Sequence, residues 1–174
     1  MDNPISTVGV VQGAPGATIQ DLFHTLVARW QGSVRLAGVI AESHGLADRT
    51  CSAGFLRNVA TDERFSMFED LGPGSAVCHL AGAGVLTAAE AVQRDIAAGC
   101  ELVVLNKFGK LEANKAGLFV AFKAAIEAGI PVLTSFSPAL EEAWAKLITP
   151  SFVTLPADTA KIDAWRRTVG ARRT

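Results

Sequence analysis

Ser6-Thr-Val-Gly-Val-Val-Gln-Gly-Ala-Pro-Gly-Ala-Thr18 passes from an apolar, β-branched run into a glycine–proline turn and then into a helical pattern. Ser6 to Gln12 predicts a buried strand, because its valines come with no intervening charge. Gly13-Ala-Pro-Gly16 predicts a turn, and Thr18 is the expected cap of the helix that follows. From there to about Gly32 the apolar residues Ile19, Leu22, Phe23, Leu26, Val27 and Trp30 recur at helical spacing. A strand, a glycine-rich turn and a helix start gather backbone N–H groups around an anion, and the helix dipole adds favourable charge. Turns of this kind also join strands to helices that bind nothing.

Outward from this turn the alternation repeats. Arg35 to Ala41 is a second apolar strand, followed by a polar loop from His44 to Arg49. Cys51 to Val59 and Arg64 to Glu69 predict a hairpin across Ala60-Thr-Asp-Glu63. Asp70 to Gly84 holds four glycines and one proline and reads as a long irregular loop. Thr87 is the expected cap of a helix to about Gly99, with Glu90 placed for a capping box. Glu101 to Asn106 is a third strand, Lys107 to Lys115 a charged loop, and a helix then runs to Gly129. Pro131 to Phe136 is a fourth strand. Pro138 can start a helix through Leu147. Ser151 to Leu155 and Ala157 to Gly170 give a last strand and a last helix.

Apolar strands alternating with amphipathic helices imply an α/β domain of three layers, a mostly parallel sheet with helices on both faces and an inserted β-hairpin. The 174 residues are read as one domain, 1–174. In such a sheet ligands bind beyond the carboxyl ends of the strands. That rule selects the loops after Gln12, Ala41, Asn106 and Phe136.

Composition narrows the classes. Hydrophobic residues make up 49% and charged residues 19%, which excludes a disordered chain. No apolar run reaches the roughly 20 residues of a membrane span, and Met1 to Gly9 lacks the features of a signal peptide. A formal net charge of −1 argues against a nucleic-acid partner. Arg166, Arg167, Arg172 and Arg173 form a terminal basic cluster, read as cations suited to the end of a last helix. Cys51, Cys78 and Cys100 are odd in number and form no C-x-x-C, so a reducing cytoplasm is the expected location. His44, Cys51, Cys78 and His79 fit no standard zinc spacing, and no metal site is assigned. His24 falls on the polar flank of the first helix and reads as solvated. Trp30, Trp144 and Trp165 read as packing residues.

A full Walker A motif is G-x-x-x-x-G-K-[ST]. The loop here is shortened, and no lysine lies between Gly13 and Arg29. Thr18 stands where a Mg²⁺-binding hydroxyl would be placed. Glu101-Leu-Val-Val-Leu-Asn-Lys-Phe-Gly-Lys-Leu-Glu112, with Gly54-Phe55, Thr61 and the acid Glu42 after the second strand, resembles a small P-loop nucleoside-triphosphatase family that includes the cancer-related NTPase. That family reads roughly L-V-V-I-D-E-I-G-K-M-E at this strand. Leu71-Gly-Pro-Gly-Ser75 and Asn106-Lys-Phe-Gly-Lys-Leu-Glu112 are similar to a bacterial family of unknown function.

The resemblance implies a P-loop NTPase-like fold and a nucleotide with Mg²⁺, or a tetrahedral oxyanion such as phosphate, sulfate or molybdate, as ligand. It also implies anion-binding roles for Gly13, Gly16, Ala17, Thr18, Gly72, Gly74, Ser75, Asn106, Lys107 and Lys110. Glu42 and Glu112 are the acids placed to act on a bound phosphate. The chain departs from the pattern where catalysis needs it most. Asn106 and Lys107 replace the acid pair that holds Mg²⁺ and polarises water, so weak or absent hydrolysis is expected. Lys107 or Lys110 is placed to supply the charge that the missing lysine would have brought. Two alternatives stay open: an active Mg²⁺-dependent nucleoside triphosphatase, and a protein-interaction module without ligand, linked through the resemblance to molybdate metabolism. Homo-oligomerisation is left open as well.

Overall fold

A computed structural model of the chain describes residues 6–43, 53–69, 79–80 and 82–171. In chain order the elements are β1 (Val8–Val11), α1 (Gly16–Trp30), β2 (Leu36–Ser43), β3 (Ala53–Asn58), β4 (Arg64–Ser66), β5 (Phe68–Glu69) and β6 (His79–Leu80). There follow α2 (Gly82–Ala98), β7 (Leu102–Leu105), α3 (Lys110–Ala113), α4 (Phe119–Glu127) and β8 (Val132–Ser135). A 3₁₀ turn at Pro138–Leu140 leads into α5 (Glu141–Leu147), β9 (Val153–Leu155) and α6 (Thr159–Ala171).

Seven strands form one sheet in the order β4-β3-β2-β7-β8-β1-β9, and β5 pairs with β6 apart from it. β2, β7, β8, β1 and β9 run parallel, with Val8 opposite Val132 and Leu36 opposite Leu102. The predicted hairpin, β3 and β4, extends the edge at β2 antiparallel. This is the expected three-layer, mostly parallel α/β sheet of P-loop NTPase-like type.

Period-two alternation assigns each strand residue to a layer. Val8 and Val10 pack with the buried faces of α2, α4 and α5, whereas Val11 packs with α1 and α6. Gly9 points toward α6, where a Cβ would stand 2.7 Å from Leu155 Cδ1 and 3.0 Å from the Trp165 ring. Phe23, Leu26, Trp30 and Ile162 fill one layer, and Phe108, Phe122, Phe136 and Trp144 the other. Each such side chain contributes about 1.5–3 kcal/mol by leaving water. The aromatic group is edge-to-face around Phe108, 5.6 Å from Phe122 and 5.2 Å from Trp144, and Phe136 stacks on Trp144. Trp30, Trp144 and Trp165 are thus core residues, as their spacing predicts. Among the described residues no helix is long and apolar enough to cross a membrane.

The structure corrects several boundaries. α1 starts at Gly16 with Pro15 in the cap position, so Thr18 lies inside the first turn and caps nothing. Pro15 is pre-set for this role by its fixed φ. α2 begins at Gly82, five positions before Thr87. Gly84 explains the early start, since a Cβ there would stand 2.0 Å from the Ser66 carbonyl oxygen. Glycine lets this first turn press onto the β4 backbone. The charged loop after β7 contains one helical turn, α3. Arg166 and Arg167 lie within α6 and both reach Asp163, at 3.2 and 2.8 Å, rather than serving the helix end. Arg172 and Arg173, His44, Cys51, Cys78 and the run from Leu71 to Ser75 lie outside the described residues.

Candidate functional site

Parallel strands bring the carboxyl ends of β1, β2, β7 and β8 to one edge of the sheet. Three of the four loops selected from the sequence wall one cavity there, of about 510 Å³, together with Ala41 of β2, beyond whose Ser43 the chain lies outside the described residues. Gln12, Gly13 and Gly16 come from the first loop, Ala41 from β2, Asn106 and Lys107 from the third, and Ser135 to Pro138 from the fourth. Gly13 takes a φ of +90°, in the region glycine adopts without strain. A Cβ at Gly13 or at Gly16 would meet nothing within 4 Å, so the backbone faces open space at both.

The start of α1 is electropositive by construction. Its N-cap Pro15 has no N–H and supplies no side-chain cap. The first intrahelical bond is from Ile19 N–H to the Pro15 carbonyl, 3.1 Å. The N–H groups of the first turn therefore await an acceptor from outside the helix. Gly13 and Gly16 wall the cavity; Ala17 and Thr18 are exposed in the same turn and do not. Gln12 fixes the loop, its Nε2 donating to the Phe136 carbonyl at 2.8 Å and its main-chain N–H to the Leu155 carbonyl at 3.1 Å. The Ser135 hydroxyl donates to the Val11 carbonyl at 2.9 Å. Sequence reasoning missed these two positioning side chains, although the strand-end rule had marked their loops.

Opposite this turn, Asn106 presents a buried Oδ1 with no hydrogen-bond partner. A buried unpaired acceptor costs about 1–3 kcal/mol, so a donor from a ligand would find its partner waiting. Phe108 sets the loop by inserting into the aromatic core, its N–H donating to the Ser135 carbonyl at 2.9 Å. Lys107, one residue earlier, is exposed and reaches the cavity wall.

Lys110 does not wall this cavity. It lines a second one of about 470 Å³, with Leu56, Val85, Leu118, Leu140 and Glu112. The two share Met67, Asn106, Lys107 and Ser137. Glu112 is only 7% exposed. Burial raises its pKa, opposed by main-chain hydrogen bonds from Glu112, Leu118 and Gly109 and by the Lys107 charge. Glu42 is differently placed. Arg57 Nε lies 2.6 Å from its Oε1 and Arg64 3.3 Å from its Oε2, so two guanidinium groups of the hairpin hold it. The β2–β3 ladder shifts register at Glu42 and Ser43, a bulge of the kind that re-aims side chains near sites. His24 is not solvated as expected: its Nε2 lies 2.7 Å from the Ala41 carbonyl, tying α1 to the end of β2. Among the described residues no group of three or more His, Cys, Asp or Glu side chains could hold a metal. Gly72, Gly74 and Ser75 lie outside the described residues.

A family model described as a protein of unknown function matches residues 8–165. The chain belongs to the DUF2478 family. It is also 33% identical over 160 residues to the molybdenum import ATP-binding protein ModC 2 of Bradyrhizobium diazoefficiens. The match covers 88% of this chain but 18% of that relative, so the chain spans under a fifth of its length. No solved structure matches the chain.

Proposed function

We propose that the chain binds a phosphate-bearing nucleotide, or another tetrahedral oxyanion, at the uncapped start of α1. The observation that supports this most is the convergence of three strand-end loops and Ala41 of β2 on one cavity containing that helix start. Main-chain N–H groups of Gly13, Gly16, Ala17 and Thr18 would supply donors, Lys107 the charge, and Asn106 an acceptor for a ligand hydroxyl or metal-bound water. The ATP-binding name of the matched relative points the same way. With no lysine in the loop and no acid pair after β7, the terms that stabilise phosphoryl transfer are largely gone. Binding without appreciable hydrolysis is the reading that follows.

A thermal-shift panel tests it: ATP, GTP and ADP with and without Mg²⁺, then phosphate, sulfate, molybdate and tungstate. A ligand at a hundredfold its dissociation constant adds about 2.7 kcal/mol, a rise of roughly 5–10 °C for a domain of this size. A flat panel would overturn the proposal and favour a protein partner instead. Mg²⁺-dependent phosphate release at enzymatic rates would overturn the non-catalytic half.

A further inference from the structure

The second cavity shares Met67, Asn106, Lys107 and Ser137 with the first and forms the apolar lobe of one cleft. Leu56 of β3, Val85 of α2, Leu111 of α3, Leu118 at the start of α4 and Leu140 of the 3₁₀ turn converge on it. Among the described residues the large apolar side chains exposed to water are Leu86 and Leu111. Leu111 lies in the wall of this lobe, and Leu86 follows Val85 in α2. An apolar concavity edged by exposed leucine marks an interaction surface, whereas single exposed leucines elsewhere need no explanation. The charges around it are of one sign. Lys107, Lys110 and Lys115 are exposed and make no ion pair among the described residues. Glu112, the sole acid between positions 107 and 115, is buried and takes its hydrogen bonds from main-chain N–H groups. The rim is therefore cationic where solvent meets it.

We propose that this lobe and its lysine rim dock a segment of a partner protein, with a large apolar side chain seated in the cavity and Asp or Glu residues beside it facing Lys110 and Lys115. Charge complementarity sets the sign of the flanking residues, since acids there meet lysines that have no partner within the described chain. The volume, about 470 Å³, has room for a leucine or aromatic anchor, the kind of side chain that dominates such contacts. Lys115 and Leu86 lie outside the cavity wall, so the surface runs past what a small molecule in the cavity would cover. An anionic membrane would meet the lysines, but a flat bilayer cannot fill a concave wall. Lys110, Leu111 and Lys115 do not wall the first cavity, so this surface stands apart from the anion site.

The test is selection from a displayed library of random short peptides on the full chain, each enriched peptide then being titrated by fluorescence anisotropy. The native chain is compared with Leu111→Asp and with the double variant Lys110→Glu, Lys115→Glu. All three positions are exposed, so the core stays intact, and a cooperative unfolding transition checks that each variant is folded. Enriched peptides should carry a large apolar residue among acids. Leu111→Asp should weaken their binding about tenfold or more. The double lysine variant should weaken it too, and that loss should shrink as salt is raised. If Leu111→Asp does not fold, the lysine variant carries the test. Failure to enrich any peptide, enrichment of peptides without acids, or affinity unchanged in both variants would overturn the proposal. Binding to phosphatidylserine vesicles that is lost in Leu111→Asp would give the surface to a membrane, and self-association lost in that variant would give it to a second copy of the chain. Either result would overturn the proposal as well.

Discussion

Gly117 closes over the carboxylate of Glu112: a Cβ at residue 117 would stand 3.0 Å from Oε2 and 3.1 Å from Oε1. Gly117 also has a φ of +59°, which favours glycine. The carboxylate beneath it accepts main-chain hydrogen bonds from Gly109 and Leu118. Gly109 is the N-cap of α3 and Leu118 the N-cap of α4. One buried side chain thus ties together the starts of α3 and α4, fixing the segment that carries Lys110 and begins two residues after Lys107. Gly117→Ala should destabilise the fold by about 1–3 kcal/mol through left-handed strain, and the steric conflict with Glu112 adds to it. Chemical denaturation measures this; an unchanged midpoint would show that the loop is not held as described.

Glu112 also makes stability depend on pH in a definite sense. Burial raises its pKa above the ordinary 4.5 in the folded chain, so the native state holds that proton more tightly than the unfolded state. Stability is therefore lost as pH rises from 4.5 through the folded pKa, and the two states are alike in protonation well below it. Glu112→Gln removes the ionisation and keeps an acceptor oxygen. The stability of Glu112→Gln relative to the native chain should climb across the window above 4.5 and then level off. Denaturation midpoints at a series of pH values measure it, and a constant difference would count against a raised pKa.

The opposite sign holds on the other side of the sheet. Burial would raise the pKa of Asp163, but hydrogen bonds from Trp30 Nε1 and Arg166 and the charges of Arg167 and Arg166 outweigh it and hold it below 3.8. The contribution is present above 3.8 and is lost as pH falls through the folded value. Trp30 Nε1 donates to Asp163 Oδ1 at 2.9 Å, and the Arg166 guanidinium lies 5.3 Å from the Trp30 ring centre. Asp163→Leu leaves that indole N–H buried without its partner, at a cost of about 1–3 kcal/mol near neutral pH. The deficit should narrow in acid. A deficit independent of pH would assign the loss to packing alone.

The parallel sheet was legible because its strands are short apolar runs separated by helices of 3.6-residue spacing, and the strand-end rule pointed to the three loops that wall the first cavity. Boundaries failed where tertiary contact overrode local signals. Thr87 is a good cap on sequence grounds, yet α2 starts earlier because Gly84 permits contact with Ser66. Likewise Thr18 lost the cap position to Pro15. The burial of Glu112 was hidden because it needs a glycine five positions away and N–H groups from two helix starts. The pairing of Glu42 depends on two arginines of the hairpin, which the sequence places beside it only once the register is known.

Lys107 and Lys110, three positions apart, border different parts of the cleft, and that difference can be read in anion binding. The sequence offers either lysine as a substitute for the one missing from the glycine loop. In the fold Lys107 walls both lobes and Lys110 only the apolar one. A charge-assisted hydrogen bond contributes about 1.5–3 kcal/mol, so Lys107→Ala should weaken inorganic tripolyphosphate binding about 10- to 100-fold. Lys110→Ala should change it little, because a surface charge at longer range is screened by salt. Titrations at low and moderate salt measure the four combinations. Equal losses for the two lysines with tripolyphosphate would mean that the anion sits deeper toward α3 than α1. Unchanged affinity in both would remove the charge compensation altogether and leave the helix start as the sole source of anion affinity.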